Sequence, residues 1–201
     1  MTYANGGVWT ESIIYSFTQG TGRPAAGPII GASGVVYGTT YSGGRSRNCY
    51  EGCGTVFELN PIGGGWKTSN LYSFQGGGNG YSPASVLVLD RRGTLYGTLS
   101  RGDNGGGVIF ELQEEGGRWR ERPVYNFWTV NNCADGATPV GLILDKNGTL
   151  YGTTEEGGIA SCGYNDHGGC GTVFKLTHWK GKWRLGEKKL TAESLPSASN
   201  D

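Results

Sequence analysis

The sequence predicts an all-β protein made of tandem four-stranded antiparallel units, and three observations carry that prediction. Trp9, Trp66, Trp119 and Trp183 each open a similar segment, at spacings of 57, 53 and 64 residues. The segments that follow are short, rich in Val, Ile, Leu, Tyr, Phe and Thr, and bounded by Gly or Asp turns, as strands are. No window of helical length carries an apolar i, i+3, i+4 stripe. Repetition at this period is the mark of β-propeller blades, and a four-stranded sheet this rich in Gly buries its faces by stacking on its neighbours.

Each element recurs in order. The first strand type runs from Trp to Tyr15-Ser16-Phe17, Tyr72-Ser73-Phe74 and Tyr125-Asn126-Phe127. A Gly-rich link then ends at Pro24, Pro83 or Pro139. Between the next two strands, Asp90-Arg91-Arg92-Gly93 and Asp145-Lys146-Asn147-Gly148 share an Asp-x-x-Gly core. Asp can accept from the backbone two residues on and Gly supplies positive φ, so a hairpin turn is expected. Gly31-Ala32-Ser33-Gly34 fills that place in the first unit. The third strand type is Tyr37-Gly38-Thr39, Tyr96-Gly97-Thr98 and Tyr151-Gly152-Thr153; the fourth is Gly54-Thr55-Val56-Phe57, Gly107-Val108-Ile109-Phe110 and Gly171-Thr172-Val173-Phe174.

The expected organisation is one β-repeat domain over residues 1–190, with units at about 9–65, 66–118 and 119–182, a partial fourth from Trp183, and a flexible tail over 191–201. Three units and an extra strand fall short of the roughly 4–8 blades of closed propellers. A ring closed by oligomerisation, continuation by further repeats, or a barrel or sandwich packing would each resolve the count. The 17 Lys+Arg balance the 17 Asp+Glu, which gives no basic footprint for nucleic acid, and no apolar stretch is long enough for membrane insertion.

Cysteines mark two of the long loops. Cys49 and Cys53 frame one, Cys162 and Cys170 frame its equivalent in the third unit, and the second loop is short and has none. Two local disulfides are the economical reading, and they imply an oxidising, extracytoplasmic compartment, secreted or at the cell surface. Met1 opens no signal peptide, so the export signal is expected elsewhere than in this chain, if it exists. Cys162, His167 and Cys170, beside Asp166, are weighed as metal ligands and set aside, because neither loop has a Cys-x-x-Cys knuckle and no fourth ligand is evident. Cys133 has no repeat counterpart. It fits a buried thiol, an intermolecular bridge or an incidental residue.

With these motifs in place, the sequence resembles the Gloeobacter/Verrucomicrobia tandem-repeat family of exported bacterial proteins. That repeat looks like Leu-Tyr-Ser-Phe, a Gly-rich link to Pro, a Gly-x-Leu-Tyr-Gly-Thr-Thr hairpin and Gly-Cys-Gly-Thr-Val-Phe, matched here by Leu71-Tyr72-Ser73-Phe74, Gly148-Thr149-Leu150-Tyr151-Gly152-Thr153-Thr154 and Gly52-Cys53-Gly54-Thr55-Val56-Phe57. Departures are Thr21-Gly22-Arg23-Pro24 in the link, Leu99 where Thr is usual, and the insertion from Trp128 to Ala134. The resemblance implies a secreted or surface-anchored repeat protein. It brings no catalytic residue and no ligand.

The residues themselves offer little catalytic chemistry. His178 and His167 read as surface or turn residues. Asp103, Glu155 and Glu156 occupy matching loops and would supply rim carboxylates if the protein cleaved glycosides, against the simpler reading of solvated loop acids. The runs Gly76-Gly77-Gly78 and Gly105-Gly106-Gly107 open no helix, so they lack the anion site of a phosphate cradle. Asp135 with Asn131 and Asn132 is one carboxylate, thin for calcium. Tyr41, Tyr50 and Tyr164 are better candidates, since rim aromatics stack on sugar faces. The sequence therefore points to a non-catalytic binding or scaffolding module for glycan or protein, with no cofactor. The alternatives are a propeller-type carbohydrate-active enzyme and a fragment of a longer repeat protein.

Overall fold

The structure, a computed structural model, describes residues 10–130, 133–158, 169–179 and 182–186. The 191–201 tail and Trp9 lie outside these residues. The described strands form three antiparallel sheets, confirming the propeller-like repeat architecture. The first holds β1 (Ile29–Ile30), β2 (Val36–Thr40), β3 (Thr55–Ile62) and β4 (Gly65–Ser73). The second holds β5 (Tyr81–Pro83), β6 (Val88–Leu89), β7 (Leu95–Arg101), β8 (Val108–Glu115) and β9 (Arg118–Asn126), with β5 and β6 both on the same edge of β7. The third holds β10 (Ala137–Leu144), β11 (Leu150–Glu156), β12 (Thr172–Trp179) and β13 (Lys182–Leu185).

The sheets are offset by one strand from the sequence period. The Trp strand that opens each sequence unit closes a sheet, because it pairs back onto the strand before it: β3 with β4, β8 with β9, β12 with β13. Two-residue turns enforce this. Gly63-Gly64 and Gly116-Gly117 all have positive φ, the backbone that a tight hairpin of this kind requires. The strand at Trp183 is therefore the fourth strand of the third sheet, and the expected extra strand of a further unit is corrected accordingly. The Asp-x-x-Gly hairpins form as expected: Asp90 Oδ1 accepts from the Arg92 and Thr94 N–H groups at 2.8 Å, and Asp145 Oδ1 from Asn147 and Thr149 at 2.8 and 2.9 Å. Those bonds to the charged form hold the Asp145 carboxyl below its usual range.

Within each sheet a Gly faces a Phe across the ladder: Gly38 and Phe57, Gly97 and Phe110, Gly152 and Phe174. The ring lies over the glycine, so a β-carbon at Gly97 would meet Phe110 at 2.6 Å. A second Phe, from the Tyr-x-Phe triplet that precedes each sheet, then packs on the first. Phe17 on Phe57, Phe74 on Phe110 and Phe127 on Phe174 stand at centroid distances of 5.2, 5.1 and 5.1 Å. This ladder runs between sheets and gives each one two different faces. The backward face carries Leu95, Leu99, Val108, Phe110 and Leu112 in the second sheet, packed against the first. The forward face carries Tyr96, Ile109, Val124 and Phe127, packed against the third. A polar pair occupies one backward-face position in the outer sheets, with Thr40 and Thr154 bonded to Thr55 and Thr172 at 2.8 Å, while Leu99 faces Val108 there in the second.

Candidate functional site

The first long loop, between β2 and β3, is built to hold aromatic side chains at the rim. Cys49 and Cys53 are joined, four residues apart. Gly43 donates to the Glu51 carbonyl at 2.6 Å and Gly54 to the Gly43 carbonyl at 3.1 Å, while Ser46 and Asn48 side chains donate to the Gln75 carbonyl at 3.0 and 2.8 Å. Arg23 pairs with Glu51 at 3.2 Å. The disulfide rests on Gly76, where a β-carbon would lie 3.2 Å from the Cys53 sulfur. Glycine at 76, with φ 75°, thus satisfies both a left-handed backbone and a close approach.

This scaffold leaves a groove of about 440 Å³ lined by Tyr41, Tyr50, Tyr81, Asn48, Gly76 and Gly77 among others. Tyr50 is 92% exposed and Tyr41 55%. Large aromatic rings held out from a stapled loop offer flat apolar faces with a polar edge. Asn48 has its side-chain amide at the same groove. On the far side of the Gly76–Asn79 ridge a polar pocket of about 250 Å³ is lined by Asn79, Asp103, Asn104 and Asn126. An Asp103 carboxylate oxygen would lie 2.6 Å from a β-carbon at Gly78, so the third glycine of the run exists to admit Asp103.

The structure thus gathers Tyr41, Tyr50 and Asp103 around one ridge. Glu155 and Glu156 end β11 in the third sheet, away from that ridge, and Tyr164 lies outside the described residues, as do Cys162, His167 and Asp166. Cys170 is disulfide-bonded. Cys133 is a buried free thiol. Asp135 has a structural assignment: its Oδ2 accepts from the Tyr125 and Thr129 hydroxyls at 2.9 Å and from the Thr129 N–H at 3.0 Å, tying down the inserted loop. Among the described residues no group of three or more His, Cys, Asp or Glu is placed to hold a metal. Sequence reasoning missed Tyr81 and Asn48. Tyr81 comes from the next sheet, and only its position two residues before Pro83 hinted at a fixed backbone there.

A half-buried acid lies beneath this rim. Glu121 on β9 accepts from Asn79 at 2.9 Å and from the Tyr72 hydroxyl at 3.4 Å, both through Oε2, while Oε1 is buried with no partner among the described residues. Burial pushes its carboxyl up to about 7, against the opposing pull of the Asn79 and Tyr72 bonds. Burial, reinforced by the Glu121 charge, pushes Tyr72 up to about 12.

A profile of the Gloeobacter/Verrucomicrobia repeat matches residues 1–192. No curated protein matches the chain by sequence. Among solved structures, one assigned as a gluconolactonase aligns at 16% identity with a TM-score of 0.42, over 65% of this chain and 41% of that protein's length. The Cys49–Cys53 disulfide suits an oxidising compartment, and among the described residues no helix is long and apolar enough to cross a membrane.

Proposed function

The chain belongs to the Gloeobacter/Verrucomicrobia repeat family, and from that premise we propose that it is a non-catalytic, exported binding module whose rim takes glycan. The observation that supports this reading is the groove formed by Tyr41, Tyr50 and Tyr81 over a disulfide-stapled loop. Tyrosine rings present CH-stacking faces to a sugar, while Asn48 and the Asp103 pocket beyond the ridge supply hydroxyl partners. The staple fixes the loop before binding, which lowers the ordering cost that a free loop would bring to the complex.

The test is a glycan array followed by calorimetry on the retained sugar. Tyr50→Ala is expected to weaken binding about tenfold, equivalent to roughly 1.4 kcal/mol, with the thermal midpoint unchanged because Tyr50 is exposed. Retention that Tyr41→Ala and Tyr50→Ala both leave intact would overturn the groove as the site. Turnover of a polysaccharide, lost in Asp103→Asn, Glu155→Gln or Glu156→Gln, would instead favour the carbohydrate-active enzyme. Retention of a protein ligand with no glycan bound would favour a scaffolding surface.

A further inference from the structure

The two junctions between sheets repeat one pattern, and both ends of the array show that pattern incomplete. On forward faces, Val56 and Ile109 are fully buried by the next sheet, whereas the equivalent Val173 is 83% exposed. Ile29 and Val88 are partly buried against the junction cores, whereas the equivalent Ile143 is 68% exposed. On backward faces, Leu89 and Trp119, and Leu144 and Trp183, are partly buried against the cores. Their equivalents in the first sheet, Ile30 and Trp66, are 76% and 39% exposed. The forward face of the third sheet and the backward face of the first are thus the two halves of one more junction of the kind already made twice.

The strand pairing points to the same match. In the first and second sheets the Tyr-x-Phe end of the Trp strand covers the outer edge of the Val/Ile strand: Ser73 faces Thr55 and Tyr72 faces Val56, then Asn126 faces Val108 and Tyr125 faces Ile109. In the third sheet β13 pairs only from Leu176 onward, with one further bond from Gly186 N–H to the Lys175 carbonyl, so among the described residues nothing pairs with the outer edge of Thr172–Phe174. A cavity of about 710 Å³ runs along Thr172, Val173, Phe174 and Lys175 to Leu185 and Gly186. Conversely, Tyr15-Ser16-Phe17 has the right sequence and among the described residues pairs with no strand, and Ile13 and Ile14 beside it are 81% and 40% exposed. Phe17 already sits on Phe57, as Phe74 sits on Phe110.

We infer that two copies of this chain assemble head to tail, the Ile13–Phe17 segment of each adding to the Thr172–Phe174 edge of the other, and so close a ring of six sheets. An unpaired edge is a template for strand addition, and backbone bonding with alternate side-chain pockets gives such pairing its register. The register is set by the internal junctions: Ser16 opposite Thr172, Tyr15 opposite Val173. Lys175 holds in the third sheet the position that Glu111 holds in the second, where Glu111 receives the Trp183 N–H at 3.5 Å, and would then face Trp66 of the other copy, a cation over an indole. The contact is heterologous, and made twice it closes on itself with six blades, within the roughly 4–8 of closed propellers. This assembly does not depend on what the tyrosine groove binds.

Light scattering on the full chain is expected to give twice the chain mass. Val173→Arg, at an exposed position that leaves each sheet's own packing intact, should halve that mass with an unchanged circular dichroism spectrum, and Ile30→Arg should do the same from the opposite face. A Ser16→Cys/Thr172→Cys variant should give a reducible inter-chain dimer under mild oxidation, and either single variant should not. A monomer at high micromolar concentration would overturn the inference, as would a ladder of longer assemblies. A dimer that survives both arginine variants and does not cross-link would place the interface elsewhere and equally overturn it.

Discussion

The junction between the first and second sheets and the junction between the second and third share their aromatic ladder and differ in the polar clasp beside it. In each, a tyrosine two residues before the stacking phenylalanine gives its hydroxyl to a carboxylate. Tyr72 reaches Glu121, on a strand of the following sheet, at 3.4 Å with one carboxylate oxygen left bare; Tyr125 reaches Asp135, on the connecting loop, at 2.9 Å. Asp135 also receives Thr129 through backbone and hydroxyl. The apolar contact fixes the spacing of sheets, and the acid that answers the tyrosine is free to come from wherever the local loop supplies one. A short satisfied clasp locks a loop. A half-satisfied one stores a titratable group.

The largest expected effect tests what the junctions share. Phe110→Ala and Phe174→Ala should each lower stability by about 3–5 kcal/mol, the usual cost of emptying a buried aromatic site. Denaturant melts that gave one of them less than half the loss of the other would break the equivalence of the two ladders. Next comes the satisfied clasp. Asp135→Ala strands the Thr129 N–H and the Tyr125 hydroxyl, and roughly 1–3 kcal/mol should go with them. Exchange protection should fall first over 128–136 and only weakly in the second sheet.

The smallest effect separates the clasps by pH. Glu121 holds its proton in the fold up to about 7, against an ordinary value of 4.5, so the folded state binds more protons than the unfolded one between those values. Stability should therefore fall as pH rises from about 4.5 to about 7 and then level. Glu121→Gln should flatten that slope while matching the wild type at low pH. A slope that persists in the variant would assign the linkage to another group.

Much of this fold was legible because the repeats name their own strands. The Asp90 and Asp145 hairpins, the local Cys49–Cys53 bond and the rim position of Tyr41 and Tyr50 all follow from chemistry within a few residues. The phase of the sheets was not read from the Trp markers, since alternating apolar residues do not say which neighbour a strand will pair. The signal was nevertheless present in Gly63-Gly64 and Gly116-Gly117, whose double positive φ ties each Trp strand to its predecessor. The groove was half legible. Its second wall, Tyr81 and the glycine ridge, arrives from the following sheet, and the ridge glycines answer to the bulk of a disulfide and of Asp103 as well as to the left-handed backbone at Gly76 and Gly77. Leu99 looked like a lapse from Thr. It is one half of a matched apolar pair with Val108, replacing the Thr40–Thr55 hydrogen bond at the same depth.

The one-strand offset between sequence period and sheet has a bearing on how such a chain can grow or shrink. A segment cut at the tryptophans carries the closing strand of one sheet and the first three strands of the next. Removing or duplicating a whole segment at the genetic level leaves every surviving sheet with its full complement of strands, and each new unit is stitched to both neighbours from the moment it is translated. The seams of the gene fall where the protein has none, as courses of brickwork overlap their joints, so copy number can drift while the wall stays bonded.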